Sequence, residues 1–229
     1  TAFKEEFGIA KTFIKDESKE LFGTIKDRRS SFIFKEANRL KVDKLVLITS
    51  GNNGYSLARF TEGSAIRVVC VVSKNLPDEV KNRLKKVSYQ VIELNLDHKI
   101  LRPEELIAFA REKEDEAIWE VTNGYDENYT PVVAEIIKKM VPDYIIVPIG
   151  SGGIFIGIIA GIERYNLKTK VIGIGTQNTT YSFADKLSTP WTPYLKAIQT
   201  YEQKGHFVYR LNENKIKETY KKYKNLVNC

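Results

Sequence analysis

From residue 43 onward, short runs of consecutive apolar residues alternate with stretches in which apolar positions recur every three or four residues. The first pattern predicts buried strands and the second amphipathic helices. Strands are expected at Lys44–Thr49, Ile66–Val72, Tyr89–Leu94, Ala117–Val121, Tyr144–Pro148, Val171–Gly175 and Phe207–Leu211. Helices are expected at Asn53–Thr61, Pro77–Lys86, Pro103–Glu112, Pro131–Met140, Gly153–Tyr165, Thr192–Gln203 and Lys215–Tyr223. Pro77, Pro103 and Pro131 stand early in their helices, where a missing N–H does no harm. Strands that are apolar throughout, such as Tyr144-Ile145-Ile146-Val147, suit a parallel sheet covered on both faces. The alternation predicts an α/β protein with right-handed crossovers. The opening segment differs: Lys11–Ile14 reads as an edge strand, and Glu17 to Ile25 as a loop with Asp16 and Glu17 in solvent. Lys26 then starts a helix that runs to about Leu40.

A chain of 229 residues with 42% hydrophobic residues can bury one substantial core or two modest ones. The longest apolar run, Gly152 to Ile162, carries four glycines and is too short to span a membrane. The first residues lack the layout of a secretory signal. Cys70 and Cys229 make neither a disulfide framework nor a metal-ligand spacing, so a cytoplasmic location is expected. His98 and His206, the only histidines, have no Ser, Cys or acid cluster in sequence range, which argues against a triad or a zinc site. The net charge of +7 and pI near 9.2 come mostly from Lys81–Lys86 and Lys215–Lys224. Both stretches read as helices with lysines on the solvated side, so a basic surface is expected, and no nucleic-acid partner.

Three strings stand where a strand or loop meets a helix: Gly23-Thr24-Ile25-Lys26-Asp27-Arg28, Ser50-Gly51-Asn52-Asn53-Gly54 and Gly150-Ser151-Gly152-Gly153. A cation at Lys26 faces the positive end of a helix dipole, which favours the neutral amine that condenses with an aldehyde. Asp27 opposes that effect, or else caps backbone N–H groups or pairs with Arg28 or Arg29; a plain surface lysine is the other reading. The second string follows a strand directly, at the end of a parallel sheet where ligands bind. Its glycines let the backbone fold around a small anion, Asn52 can donate to a phenolic oxygen, and Ser50 and Asn53 to a carboxylate. The same residues also serve as ordinary N-caps. The third string allows a nest of N–H groups around a phosphate, or tight packing. A dinucleotide fingerprint fails there, because Phe155 stands where its third glycine belongs and the next strand ends Ile174-Gly175-Thr176-Gln177 without an acid. An amine beside two anion-binding loops suits an aldehyde that carries a phosphate, namely pyridoxal phosphate.

In order and separation, the three strings resemble the fold-type II pyridoxal phosphate enzymes, the family of threonine synthase, cysteine synthase, threonine dehydratase and the tryptophan synthase β chain. The resemblance runs from about Lys15 to the end. It implies two open, mostly parallel twisted sheets flanked by helices, with a small domain at residues 41–140 between the parts of a larger one, 1–40 and 141–229. It implies that Lys26 bonds the cofactor and is catalytic, that Asn52 contacts the cofactor's O3′, and that Gly150, Ser151, Gly152, Gly153 and Ile154 hold its phosphate. Thr49, Ser50, Gly51 and Asn53 would hold the carboxylate of a small amino-acid substrate; a metal is not expected and a homodimer is. Lys26-Asp27-Arg28 and Asn52-Asn53-Gly54 look more like threonine or cysteine synthase than dehydratase. Ser182 to Leu187 and Tyr55 to Ala58 lean towards threonine synthase, which converts O-phosphohomoserine to threonine, with Lys15, Arg28 and Arg29 as partners for the substrate phosphate. Cysteine synthase-like replacement and a truncated, non-catalytic binder of the cofactor or of phosphate are the alternatives. The sequence departs from the family pattern in three ways. Glu20-Leu21-Phe22 replaces an Asn-Pro-Thr, Ile154 replaces a hydroxyl residue, and the Ser or Thr under the pyridine nitrogen would fall after Asn228-Cys229. With no Thr-Pro-Leu-like N-terminal stretch either, the sequence resembles a member trimmed at both ends.

Overall fold

A computed structural model of the chain describes residues 8, 11–96, 100–179, 182–188 and 192–223. His98 and Cys229 lie outside the described residues. The strands are β1 (Lys44–Ile48), β2 (Arg67–Ser73), β3 (Gln90–Leu94), β4 (Ile118–Glu120), β5 (Tyr144–Pro148), β6 (Lys170–Thr176) and β7 (Phe207–Leu211). The α-helices are α1 (Lys26–Arg39), α2 (Asn52–Thr61), α3 (Asp78–Lys85), α4 (Pro103–Ala110), α5 (Thr130–Ile137), α6 (Gly153–Arg164), α7 (Leu195–Gln203) and α8 (Glu213–Tyr223). Every expected strand and helix from residue 43 onward is present, with differences confined to the ends. For example, α4 stops at Ala110 because Arg111 turns extended, with ψ 126°, and its guanidinium donates to the Glu114 carbonyl at 2.8 Å. Among the described residues, no helix is long and apolar enough to cross a membrane.

All strand pairings are parallel and form two sheets, ordered β3-β2-β1-β4 and β5-β6-β7. In the first sheet the chain steps outward from β1 to β3, then returns to place β4 on the other side of β1. The connections therefore diverge at the carboxyl ends of β1 and β4, which opens a crevice there.

Period-two alternation sends the two sets of β1 and β2 side chains to opposite faces. Leu45, Leu47, Val68, Cys70 and Val72 pack with Ile33 and Ala37 of α1, Leu57 of α2 and Leu84 of α3. Val46, Val69 and Val71 pack on the other side with Leu106 and Ala110 of α4. The first sheet is thus covered on both faces.

The second sheet is not, which corrects the expectation drawn from Tyr144 to Val147. Val147 and Val171 pack against Phe155, Ile158 and Ile162 of α6 and Ile198 of α7. Tyr144, Ile146, Phe207 and Tyr209 are 57%, 66%, 40% and 54% exposed on the opposite face. These four side chains stay exposed, so an apolar run there does not mean double burial. Lys11–Ile14 forms no strand either: Phe13 and Ile14 are both exposed, and the segment meets no sheet edge that could supply ladder bonds.

The helix α6 carries Gly153, Gly157 and Gly161 at every fourth position. A Cβ on Gly157 would stand 2.1 Å from the Asp126 carbonyl oxygen, and one on Gly161 would stand 2.7 Å from Val133 Cγ2. This stripe lets residues 126–133 lie directly on α6 and so sets one wall of the crevice.

Candidate active site

Lys26 is the first residue of α1, after Gly23 in the left-handed region at φ 81°. Asp27 is buried and caps this turn. One of its oxygens accepts the Phe22 N–H at 2.6 Å and the other the Ser56 hydroxyl at 2.6 Å, which ties α1 to α2. Of the roles open to it, capping is the one it fills. Arg28 points away from the cavity into a carboxylate cluster, at 2.7 Å from Glu17, 2.7 Å from Glu20 and 2.8 Å from Glu135. Lys15 joins Glu17 and Glu135 in the same cluster. Glu17 is therefore not a solvated loop acid as expected: its side chain is only 15% exposed because it braces Arg28. Asp16 stays exposed and caps the Ser18 N–H.

The Lys26 amine has no carboxylate partner among the described residues. It donates to the Tyr129 hydroxyl at 3.3 Å and lies 5.4 Å from that ring's centroid. Burial lowers its pKa to about 8, the nearby Arg29 charge adds to the shift, and Asp126 opposes it. Tyr129 is buried, which pushes its phenol well above the ordinary value and keeps it protonated.

The turn after β1 consumes its own backbone donors. Thr49 Oγ1 accepts the N–H groups of Gly51 and Gly54, each at 3.0 Å. Gly51 adopts φ 133°, and a Cβ there would stand 2.9 Å from Val80 Cγ1. Gly51 is set back from the cavity, while Thr49, Ser50, Asn52 and Asn53 line it.

The turn after β5 does the opposite. Gly152, at φ 109°, caps α6 without a side-chain hydrogen bond. A Cβ on Gly152 would meet Ile198 Cδ1 at 2.9 Å, and one on Gly153 would meet Asp126 Oδ1 at 2.3 Å. The first-turn N–H groups of α6 have no intrahelical partners and are donors that an anion can accept.

These parts face one cavity of about 1050 Å³. Lys26, Thr49, Ser50, Asn52, Asn53, Gly150, Ser151, Gly152, Gly153 and Ile154 all line it. Of the three proposed cation partners for a substrate phosphate, Arg29 lines it, while Lys15 and Arg28 are engaged elsewhere.

Sequence reasoning missed Asp126, Tyr129 and Tyr194, and misjudged Arg29. Asp126 accepts the Tyr194 hydroxyl, whose oxygen in turn accepts the Gly124 N–H at 2.9 Å. Burial raises the Asp126 carboxyl above its ordinary range. The one available cue was Asn123-Gly124, a turn dipeptide at the carboxyl end of a strand. Nothing local marks Tyr194.

The donor set fits a phosphate-bearing aldehyde. An amine of lowered pKa stands in the same cavity as a helix end that no side chain caps. Asp126 is the one discordant group, an acid against Gly153, and Arg29 and Lys26 both hold its carboxyl towards the charged form.

A model of the family described as pyridoxal-phosphate dependent enzymes matches residues 1–225. L-serine dehydratase of Saccharomyces cerevisiae is 24% identical over 186 residues, which cover 69% of this chain and 53% of that protein. The chain thus spans about half the length of the curated relatives it matches. Among solved structures, a point mutant of the hydrogen sulfide-producing enzyme of Fusobacterium nucleatum gives a TM-score of 0.73 at 20% identity, over 87% of this chain and 66% of the other. The O-acetylserine dependent cystathionine β-synthase of Helicobacter pylori gives 0.72 at 15% identity, over 86% and 69%. O-ureido-L-serine synthase gives 0.72 at 16% identity, over 91% and 71%. At these identities the structural likenesses show the shared fold.

Proposed function

The chain belongs to the family of pyridoxal-phosphate dependent enzymes, and on that premise we propose that it removes or exchanges a leaving group on the side chain of a small, serine-like amino acid. The observation that carries this reading is the shared cavity of the Lys26 amine, the 49–53 turn and the open end of α6. When bound, pyridoxal phosphate supplies an aldehyde for the substrate amine and a ring that withdraws electrons from Cα.

The N–H groups at the start of α6, with Gly150 to Ile154, hold the phosphate. Asn52 donates to the ring oxygen, and Thr49, Ser50 and Asn53 orient the substrate carboxylate. Lys26 is the residue that would hold the aldehyde carbon through Nζ. With a pKa near 8, its Nζ can also take the Cα proton and give it back. The Tyr129 hydroxyl keeps its own proton and offers Nζ an acceptor oxygen, which fixes where that amine points.

Serine-like substrates are favoured over O-phosphohomoserine for an electrostatic reason. A substrate phosphate needs its own cationic partners. Lys26 and Arg29 are the only basic residues lining the cavity among the described residues, and both have other work. Tyr55 to Ala58, which lean towards threonine synthase in sequence, lie off the cavity lining. Several similar proteins are named for serine or a substituted serine, among them the yeast dehydratase, the Helicobacter synthase and the ureidoserine synthase.

The test is spectroscopic first. The purified chain should gain visible absorption with pyridoxal phosphate, borohydride should fix the label on Lys26, and Lys26→Ala should abolish both. Loaded protein should then turn over L-serine or O-acetylserine in preference to O-phosphohomoserine. Absence of the visible band, or preference for O-phosphohomoserine, overturns the reading at the corresponding level.

A further inference from the structure

Arg29 follows Lys26 by one turn of α1, is 3% exposed, and pairs with no carboxylate among the described residues. A guanidinium buried without a counter-ion is costly unless its N–H groups are taken up. Nε donates to the Gly124 carbonyl at 2.8 Å, and Nη2 to the carbonyls of Val121 at 2.7 Å and Asn123 at 3.3 Å. Nη1 donates to Asn53 Oδ1 at 3.2 Å. A guanidinium has donors only, so the Asn53 atom that faces it must be the oxygen. The two N–H groups of that amide are thereby left for other acceptors, and Asn53 lines the cavity.

We propose that Arg29 is a specificity-determining positioning residue: its hold on Asn53 Oδ1 aims the Asn53 amide N–H groups at the carboxylate of the amino-acid substrate. One side chain thereby fixes both walls of the crevice, the turn after β4 through three carbonyls and the turn after β1 through one amide. The inference rests on the reading of Asn53 as a carboxylate ligand and adds the group that orients it. The Arg29 charge also favours the neutral amine of Lys26, so substrate orientation and amine activation share a source. A lysine at 29 would keep the charge but lose the planar fork that spans four acceptors.

The experiment titrates L-serine and L-serinamide into the cofactor-loaded chain, following the visible band, and measures pyridoxal phosphate affinity alongside. Arg29→Met and Arg29→Lys should each weaken L-serine by about tenfold or more relative to L-serinamide measured on the same variant. Asn53→Ala should lose L-serine to the same degree, and adding Arg29→Met to it should cost no more than about twofold further, because the two act as one unit. If Arg29→Met does not fold, Asn53→Ala decides, and unchanged preference for L-serine over L-serinamide there overturns the proposal. Retention of that preference in Arg29→Lys, or additive losses in the double variant, overturns it as well. A wild-type chain that gains no visible band with the cofactor refutes the functional reading instead, and the inference falls with it.

Discussion

The turn after β1 and the turn after β5 both join a buried strand to the start of a helix, and both face the same cavity. They differ in which donors they leave free. In the first, Thr49 Oγ1 takes the N–H groups of Gly51 and Gly54, so side chains carry what remains, at Ser50, Asn52 and Asn53. In the second no side chain caps the helix, and glycines keep Cβ atoms out of spaces that Ile198 and Asp126 already fill. One turn therefore offers shaped, substitutable donors, suited to telling one small molecule from another. The other offers an invariant backbone cradle, suited to a phosphate. The same strand–turn–helix element yields two recognition modes because one has a threonine to absorb its backbone donors and the other, with glycines at 150, 152 and 153, has no side-chain cap.

This contrast is testable from both sides. The largest effect is expected at Gly153→Ala, where a Cβ must displace Asp126; overpacking of this kind should weaken pyridoxal phosphate binding by about 100-fold. Pyridoxal, which lacks the phosphate, should lose much less, and equal losses for the two would show that the cradle is not what holds the phosphate. Thr49→Val comes next. It strands two N–H groups in a buried turn and should cost about 2 kcal/mol in urea unfolding. A neutral result would mean that the turn does not depend on its own hydroxyl.

The amine that both turns flank sets the third prediction. With a pKa near 8, the neutral fraction of Lys26 rises about tenfold between pH 7 and pH 9, and the rate of its reaction with pyridoxal phosphate should follow. A flat profile over that range would remove the case for a perturbed amine. The sign for stability is the same: the unfolded chain holds this proton up to its ordinary pKa of 10.5, so this group makes the fold more stable as pH rises from about 8 to 10.5.

The smallest effect is expected outside the cavity, at Glu135→Gln. Arg28 and Lys15 hold the Glu135 pKa near 2, so its ion pairs stabilise the fold above the ordinary carboxylate range and are lost as pH falls towards 2. Because its side chain is 41% exposed, the loss at pH 7 should be below about 1 kcal/mol. Cofactor affinity should not change, and a change would couple the Arg28 cluster to the site.

Most of the scaffold was legible as periodicity. The apolar runs at β1 and β2 and the spaced apolar positions of α2 and α6 each report a local preference reinforced by burial, and each appeared where the pattern put it. Lys11–Ile14 was misread because a four-residue segment with only Phe13 and Ile14 apolar does not make a strand without a neighbouring edge to pair with. The face of β5 was misread because apolar residues are necessary for double burial but do not supply the layer that buries them. At the candidate site, Lys26, Asn52 and Gly150 to Gly153 line one cavity; the turn chemistry of their strings left plain structural readings open, and their order along the chain singled them out.

Position along the chain was enough to establish that two strand-ending turns and one helix-starting lysine exist, since each depends on residues within a few positions of itself. It could not say that Arg29 meets Val121, 92 positions away, or that Asp126 meets Tyr194, 68 positions away. Nor could it say that Lys26 donates to Tyr129 across 103 positions. Such pairs form only once parallel pairing has placed β4 beside β1 and the glycine stripe of α6 has drawn residues 126–133 against it. A buried guanidinium or carboxylate takes its chemistry from whichever partners that packing brings within about 3 Å, and no local pattern encodes them.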